Sequence, residues 1–327
     1  MTLGRFMEEE LRSQPETWER TLEVTAAASA LPQNGERIAV IGCGSSWFGA
    51  QVFASLRETL GLGETDAFTA SEFPAARSYD RIVAISRSGT TTEVAEALDR
   101  LRAHKSGGGA AGSAGSSDPA GAEVPVTSIL GVADTPIGQR STHVIALDFA
   151  DERSVVQTRF STSAIVAMRS WLGLGAQLTG AIADARQVLA GIAEDFTTAD
   201  DSVLDEELLT AEQFSFLGRG WTWGLANEAA LKMRESAQAW TESYSSMEYR
   251  HGPIAIAAPG RVSWQFGEAP AGLQEQVEAT GARFENADRD PLAELVRLHA
   301  LALIRARRLG VDPDNPRSLT RSVVLGG

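Results

Sequence analysis

The sequence is poor in the residues that build disulfides and metal centres. Its 327 residues include one cysteine, Cys43, and four histidines that are far apart, His104, His143, His251 and His299. A single cysteine cannot form an intramolecular disulfide, which is typical of proteins from a reducing compartment. The histidine spacing fits no zinc motif. We therefore expect a cytoplasmic protein that uses no metal and no other cofactor.

Long apolar runs and an excess of basic charge are also absent from the sequence. No run approaches the roughly 20 residues that span a bilayer, and the acidic N-terminal segment lacks the apolar core of a signal peptide. The formal net charge is −14, from 43 acidic and 29 basic residues. This balance argues against a nucleic-acid partner, as the lack of a long apolar run argues against a membrane partner. A local positive pocket could still bind an anionic small molecule.

Apolar runs alternate with glycine- or serine-rich turns and helical patterns in the first half of the chain. The strand candidates are residues 37–41, 81–85, 124–132 and 144–147, and the helix candidates are residues 47–60 and 93–103. Short apolar runs of this kind are typical of strands that are buried on both faces of a parallel sheet. The alternation predicts an α/β protein with doubly wound, flavodoxin-like parallel sheets.

The same order of elements returns in the second half. Residues 214–217, the turn Gly218-Arg219-Gly220 and a helix over 225–240 repeat the first strand, its Gly-x-Gly turn and its helix. This repetition indicates internal duplication. The predicted divisions are N-terminal helices over 1–34, a first domain over 35–155, linking helices over 156–200 and a second domain over 201–327. Within them we expect a helix break near Pro15, two helices within 161–194 and a flexible Gly/Ser/Ala-rich loop over 106–122.

Two turns in the first half are candidates for ligand contact. Gly42-Cys43-Gly44-Ser45-Ser46 follows the first strand, but Trp47 stands where a dinucleotide fingerprint needs its third glycine. We favour ligand contact there over a simple tight turn. The turn at residues 86–91, SRSGTT, offers four hydroxyls and a guanidinium at a helix N-terminus, which suits a phosphate monoester. Helix capping alone would need one such hydroxyl.

Three charged residues share one face of the helix in the second half. Glu228, Lys232 and Glu235 follow a spacing of i, i+4 and i+7. Such a face is most often a solvated ion-pair surface. Because the helix is otherwise rich in alanine and leucine and begins at a strand end, an active site is an equally good interpretation, with His251 as a nearby candidate.

The motifs together resemble the tandem form of the sugar isomerase (SIS) domain family. This family includes the isomerase half of glucosamine-6-phosphate synthase and stand-alone amino-sugar-phosphate isomerases and deaminases. The match runs from Arg37 to Val324 in the family's order. The segments that carry it are GCGSS at 42–46, SRSGTT at 86–91, ERSVVQTRF at 152–160, the long segment from FLGRG to RHGP at 216–253, and DPDNPRSLTRSV at 312–323.

The resemblance implies a role for individual residues. Ser46, Ser86, Ser88 and Thr91 fall at positions that hold the sugar 6-phosphate, and Arg87 falls at a phosphate-contacting glutamine. Glu235 falls at the base that moves a proton between C1 and C2, with Glu228 and Lys232 orienting it. His251 falls at a ring-opening histidine that reaches the site from a neighbouring subunit, which implies a homodimer. The other implied substrate contacts are Gly44, Ser45, Glu152, Val155 and Arg321.

The sequence departs from the family pattern at three points. No glutaminase segment precedes the tandem, so we do not expect synthase activity. Arg321 stands at the lysine that forms an imine with the ketose, and a guanidinium stays protonated and cannot do so at useful rates. Gln157 and Arg159 replace a serine and a lysine near the sugar.

Three functions follow as hypotheses. The first is an amino-sugar 6-phosphate isomerase/deaminase that converts glucosamine 6-phosphate to fructose 6-phosphate and ammonia. The second is a lyase or dehydratase that eliminates the C3 substituent of an N-acetylated amino-sugar 6-phosphate. The third is a non-catalytic protein that senses a phosphosugar.

Overall fold

The architecture is taken from a computed structural model that describes residues 2–28, 31–106, 123–200 and 202–325. The loop predicted over 106–122 lies outside the described residues, except for its first residue, which ends a helix. Among the described residues no helix is long and apolar enough to cross a membrane.

The first half of the chain builds a five-stranded sheet in which all strands are parallel. Its strands are β1 Ile38–Gly42, β2 Thr65–Thr69, β3 Arg81–Ser86, β4 Val126–Leu130 and β5 His143–Ala146. The order is β2-β1-β3-β4-β5, which is the flavodoxin-like order with a switch point between β1 and β3. Every residue of β1, β3 and β4 is buried, because helices cover both faces of the sheet.

The second half builds a four-stranded parallel sheet in the order β7-β6-β8-β9. Its strands are β6 Gln213–Gly218, β7 Trp240–Ser245, β8 Arg261–Phe266 and β9 Arg283–Asn286. β6 lies inside the sheet and is completely buried, whereas β7 is an edge strand and is mostly half-exposed. The chain therefore holds two sheets of the same design, which confirms the predicted fold class.

Eleven helices of the described residues surround and connect the two sheets. They are α1 Arg5–Arg12, α2 Gln14–Ala26, α3 Ser45–Thr59, α4 Thr92–Ser106, α5 Pro136–Gln139, α6 Arg159–Trp171, α7 Gly175–Ala190, α8 Glu206–Thr210, α9 Thr222–Ala237, α10 Leu273–Glu278 and α11 Pro291–Leu309. Local signals set their limits. In α11, for example, the Asp290 carboxylate accepts from the Leu292 amide at the start, and Gly310 ends the helix with a φ of 69°.

The two sheets share one hydrophobic core because α3 of the first half packs directly on α9 of the second. Gly224 in α9 permits this approach. A Cβ atom at that position would lie 2.7 Å from the Val52 side chain and 2.8 Å from the Phe48 carbonyl oxygen of α3. α11 packs on the other side of α9. The helix that carries the three charged residues is therefore held between elements of both halves.

Most predicted elements are confirmed, and the differences concern one helix end and four strands. The break near Pro15 falls at Ser13, and the two helices expected within 161–194 are α6 and α7. The prediction of a helix over 225–240 was wrong at the C-terminal end. It stops at Ala237 because Gln238 adopts a left-handed conformation with a φ of 51°, and Trp240 already belongs to β7. Strands β2, β7, β8 and β9 were not predicted.

Candidate active site

Helix α9 carries a buried chain of charges on the face that was predicted from spacing. The Lys232 ammonium lies 2.5 Å from a Glu235 carboxylate oxygen and 3.7 Å from Glu228. The side chains of Lys232 and Glu228 are each 1% exposed, whereas that of Glu235 is 20% exposed. A solvated ion-pair surface is therefore excluded, and Glu235 is the member of the three that reaches solvent.

Burial and neighbouring charges act in opposite directions on the pKa values of Glu228 and Lys232. Burial raises the pKa of Glu228, and the charge of Lys232 opposes that shift in part. Burial would lower the pKa of Lys232, but the two neighbouring carboxylates outweigh it and raise the pKa above its usual value. Lys232 therefore stays positive and holds two carboxylates next to each other. Behind it, burial and the charge of Lys232 lower the pKa of His299 to about 3, so that this imidazole remains neutral.

The Gly-x-Gly turn after β1 meets α9 at this point. Gly44, with a φ of 54°, precedes Ser45 and Ser46, which are buried in the first turn of α3. The hydroxyls of Ser45 and Ser161 are close enough to Glu228 to lower its pKa against the effect of burial. The partly positive N-terminus of α3 therefore faces the buried carboxylate of α9.

Residues 86–91, which we call the hydroxyl turn, form a compact turn between β3 and α4. The Gly89 amide donates to Ser86 Oγ, and Ser86 Oγ lies 3.4 Å from Thr91 Oγ1. Gly89 has a φ of 66°, and a Cβ atom there would come within 2.2 Å of Thr135 Oγ1, so the turn requires glycine. The hydroxyls of Ser86 and Thr91 are therefore positioned by a backbone shape that residues other than glycine would strain.

The segment 312–325 after α11, which we call the tail, covers the hydroxyl turn. Ser322 Oγ lies 3.0 Å from both Ser88 Oγ and Thr90 Oγ1. The Thr92 amide donates to the Val323 carbonyl at 3.2 Å. The tail therefore already supplies partners to hydroxyls that were predicted to bind phosphate.

Arg87 is directed away from the open side of the hydroxyl turn. Its guanidinium donates to the carbonyl oxygens of Ser154 at 2.8 Å, Val155 at 3.3 Å and Arg321 at 2.7 Å. The side chain is buried, and burial lowers its pKa. In this arrangement Arg87 joins residues 151–155, which we call the 151–155 loop, to the tail. Its predicted contact with phosphate would require these bonds to be exchanged.

The 151–155 loop is also held by Arg321 and Glu10. The Arg321 Nη2 atom lies 2.5 and 2.6 Å from the two carboxylate oxygens of Asp151, and Nη1 donates to the Glu152 carbonyl. Glu10 of α1 accepts the amides of Arg153 at 2.5 Å and Ser154 at 3.2 Å. Arg321, which stands in place of the imine-forming lysine, is therefore held in an ion pair with the Asp151 carboxylate.

Glu152 acts as a helix cap in the structure. Its carboxylate accepts the amides of Thr158 at 2.6 Å, Arg159 at 2.9 Å and Phe160 at 3.2 Å at the start of α6. The side chain is 1% exposed. Its position beside Arg87 and Lys232 places a further negative charge in the cluster, but its oxygens are directed at the helix rather than at open space.

His251 lies apart from the buried charges. It ends a short 3-10 helix, Glu248–His251, and its side chain is exposed. Within the described part of the chain, no hydrogen bond or ion pair joins it to α9. The structure thus brings together the α9 trio, the α3 turn, the hydroxyl turn and the 151–155 loop, and it leaves His251 on the surface.

Sequence reasoning overlooked several residues that shape this region. Glu10, Asp151 and Ser322 hold the loop and the tail, and Arg317 lines two cavities that open at Glu235. Glu10 lies in an acidic helical run that carries no motif, and its partners are more than 140 residues away. In the described residues no cluster of three or more His, Cys, Asp or Glu side chains is arranged to hold a metal ion.

Comparison with curated sequences finds isomerizing aminotransferases among the proteins that the chain resembles. No family model matches the chain. Curated relatives include glutamine–fructose-6-phosphate aminotransferases (isomerizing) from Gloeobacter violaceus, 26% identical over 98% of this chain and 58% of that protein, and from Nostoc, 27% identical over 89% and 52%. The chain therefore spans between half and three-fifths of the length of these relatives.

Solved structures share the fold over nearly the whole chain. Glucosamine-6-phosphate deaminase from Thermotoga maritima has a TM-score of 0.76 and 22% identity, covering 98% of this chain and 99% of its own. The C-terminal domain of glucosamine-fructose-6-phosphate aminotransferase from Francisella tularensis has a TM-score of 0.71 and 20% identity, covering 95% and 98%. The predicted resemblance to tandem SIS domains is confirmed, since the homologues are aminotransferases of this kind and the fold matches that of phosphosugar isomerases.

Proposed function

We propose that this protein is an amino-sugar 6-phosphate isomerase/deaminase that converts glucosamine 6-phosphate to fructose 6-phosphate and ammonia. The observation that carries the proposal is the α9 trio, in which a buried lysine holds two carboxylates and only Glu235 reaches solvent. The names of the relatives, a glucosamine-6-phosphate deaminase and amino-transferring synthases, support this substrate class.

The mechanism begins with the remote phosphate group. Ser46, Ser86, Ser88 and Thr91 would bind it near the N-termini of α3 and α4, where helix dipoles favour an anion. This anchoring fixes the opened sugar relative to α9. Ser322 of the tail would exchange its bonds to Ser88 and Thr90 for solvent or substrate.

Glu235 would act as the base between C1 and C2. Its carboxylate takes the proton from C2 of the open aldose and returns it to C1, and Lys232 holds the carboxylate in place through its 2.5 Å contact. Once a proton has also passed from the C2 amino group to O1, the product is a 2-imino sugar, which water hydrolyses to the ketose and ammonia. His251 lies on the surface of its own chain, away from Glu235. We therefore assign ring opening to His251 of the partner subunit.

A second candidate follows from Arg321. The guanidinium at the position of the imine-forming lysine is bound to Asp151, so the ketose cannot be held as an imine by this residue. If the C2 carbanion instead expels the C3 substituent, the enzyme becomes a lyase or dehydratase of an N-acetylated amino-sugar 6-phosphate.

The deciding experiment is incubation of the purified protein with glucosamine 6-phosphate and, separately, with its N-acetyl form. Ammonia together with a ketose phosphate supports deamination, and a product lighter by one water supports elimination. Binding of either sugar without turnover would instead support a phosphosugar sensor.

Glu235→Gln tests the assigned base. We expect turnover to fall by at least about 1,000-fold because an amide cannot accept the C2 proton, with phosphosugar affinity retained. Glu23→Gln, on the exposed side of α2, is the matched control and should behave like the wild type. An active Glu235→Gln protein would remove Glu235 from the mechanism.

A further inference from the structure

Two neighbouring cavities meet at Glu235 and contain the same arginine. They have volumes of about 410 and 230 Å³, and Glu235, Gln238 and Arg317 belong to the walls of both. The larger one falls within the range of roughly 300–1,000 Å³ that ligand sites occupy. Glu235 comes from the last turn of α9, and Arg317 comes from the tail.

Arg317 is available for a ligand in a way that the neighbouring cations are not. Its side chain is exposed, and no hydrogen bond or ion pair engages its guanidinium among the residues that the structure describes. In contrast, Arg234 donates to Thr241, and Lys232 is enclosed between two carboxylates. Arg321 is paired with Asp151.

The proposed proton transfer from C2 needs a positively charged hydrogen-bond donor near Glu235. When Glu235 removes the C2 proton, the electron pair of the C–H bond forms a C1–C2 double bond, and the carbonyl electrons move to O1. The result is an enolate whose charge lies largely on O1. A guanidinium stabilises such an oxyanion by donating N–H hydrogen bonds to it and does not lose its own proton.

The tail connects this position to the phosphate-binding turn. Arg317 lies five residues before Ser322 in the sequence. Ser322 contacts Ser88 and Thr90. An extended chain of this length spans at most about 17 Å. One segment therefore contributes an arginine to the cavity walls beside Glu235 and a hydroxyl to the contacts of the hydroxyl turn.

We infer that Arg317 is a catalytic residue that donates hydrogen bonds to O1 of the opened sugar and stabilises the enolate that Glu235 generates. The inference rests on the proposed function, and it assigns to Arg317 the electrophilic role that Arg321, tied to Asp151, does not fill. The reaction consumes no oxidant or reductant, because the proton removed from C2 is returned to C1 and O1 gains the proton that the C2 amino group loses as the imine forms.

The test is exchange of the C2 proton of glucosamine 6-phosphate in D₂O, followed by NMR together with turnover. For Arg317→Ala we expect both kcat and exchange to fall by about 100-fold or more, as after loss of an oxyanion donor, with KM changed by less than about threefold because the phosphate is bound elsewhere. Added guanidinium ion should restore part of the exchange in Arg317→Ala, and Arg317→Lys should be intermediate. Arg186→Ala, which removes an exposed arginine of α7, is the control.

Exchange at the wild-type rate in Arg317→Ala, or a loss confined to KM, overturns the role of Arg317 while leaving the proposed function intact. Failure of guanidinium to restore any exchange to a folded Arg317→Ala protein also counts against it. Absence of both turnover and exchange in the wild type, with bound sugar, overturns the proposed function and this inference with it.

Discussion

At the scale of single residues, the α9 trio is a buried ion cluster whose members depend on one another. Removing Lys232 would leave the Glu228 carboxylate 1% exposed with no cation beside it. Lys232→Met should therefore lower the free energy of unfolding by about 3–5 kcal/mol, as measured in urea, since an unpaired buried charge is costly.

The double variant Glu228→Gln/Lys232→Met separates charge from packing. It removes the buried carboxylate together with its partner, so we expect it to recover a large part of the lost stability. If the double variant is as unstable as Lys232→Met alone, the loss comes from packing of the long side chain and not from the uncompensated charge.

A second prediction at this scale concerns Glu10 and the dependence of the unfolding free energy on pH. Burial and the negative charge of Glu152 raise the pKa of Glu10 from 4.5 to about 7. Between these values the unfolded chain has lost this proton while the folded protein keeps it. The free energy of unfolding therefore falls as pH rises from about 4.5 to 7, by up to about 3 kcal/mol from this group.

Glu10→Gln checks that prediction because the amide keeps the shape and cannot ionise. The variant and the wild type should have nearly equal unfolding free energies at pH 4, and the variant should be the more stable at pH 8. Glu9→Gln, on the exposed side of α1, is the control. Parallel pH profiles for wild type and Glu10→Gln would contradict the assignment.

At the scale of elements, the tail and the 151–155 loop form one unit. Arg321 pairs with Asp151, its carbonyl accepts from Arg87, and the next residue, Ser322, contacts the hydroxyl turn. Arg321→Ala removes the ion pair. Since the pair is partly exposed, global stability should change by no more than about 1 kcal/mol.

The local consequence of Arg321→Ala should be larger than the global one. Without the pair, the tail should open more often, and hydrogen–deuterium exchange of peptides from the tail and the 151–155 loop should become at least several-fold faster. Peptides from β6, which is buried in the second sheet, serve as an internal reference. Unchanged exchange in the tail would show that Ser322 and the backbone contacts hold it without Arg321.

Elements differ in how far the sequence predicts them. β1 and β3 are recognisable because every residue of both is buried, so their apolar runs are continuous. β7, WTESYS, is a half-exposed edge strand with mixed polarity, and the helical pattern before it extended the predicted helix to Trp240. The spacing of the α9 trio is local and was predicted, whereas the link from Glu10 to Arg153 spans 143 residues and leaves no local pattern.

At the scale of the whole molecule, N-terminal and C-terminal segments are joined beside the site. The Asp314 carboxylate accepts the amides of Phe6 and Met7 at the start of α1, each at 2.9 Å. Met7 in turn contacts Ser236 of α9. α1 therefore supports the tail, the 151–155 loop and α9 at once, so that the geometry around Glu235 depends on segments from both ends of the described chain.

The exposed position of His251 leads to a prediction about assembly. His251 lies on the surface, and edge strand β7 before it presents Trp240, 56% exposed, with Met247, 43% exposed, just beyond. An edge strand with exposed apolar side chains is suited to being covered by another chain. We therefore expect a homodimer in which His251 of the partner subunit completes the site around Glu235.

Complementation between two inactive variants tests this arrangement. Glu235→Gln and His251→Ala should each be inactive alone. In a hybrid dimer, one of the two sites combines the intact Glu235 of one chain with the intact His251 of the other. Refolding an equal mixture makes about half of the dimers hybrids, so about a quarter of wild-type activity should return. No recovery in a mixture shown by light scattering to be dimeric would place both residues in one chain, and a monomeric wild type would exclude the shared site altogether.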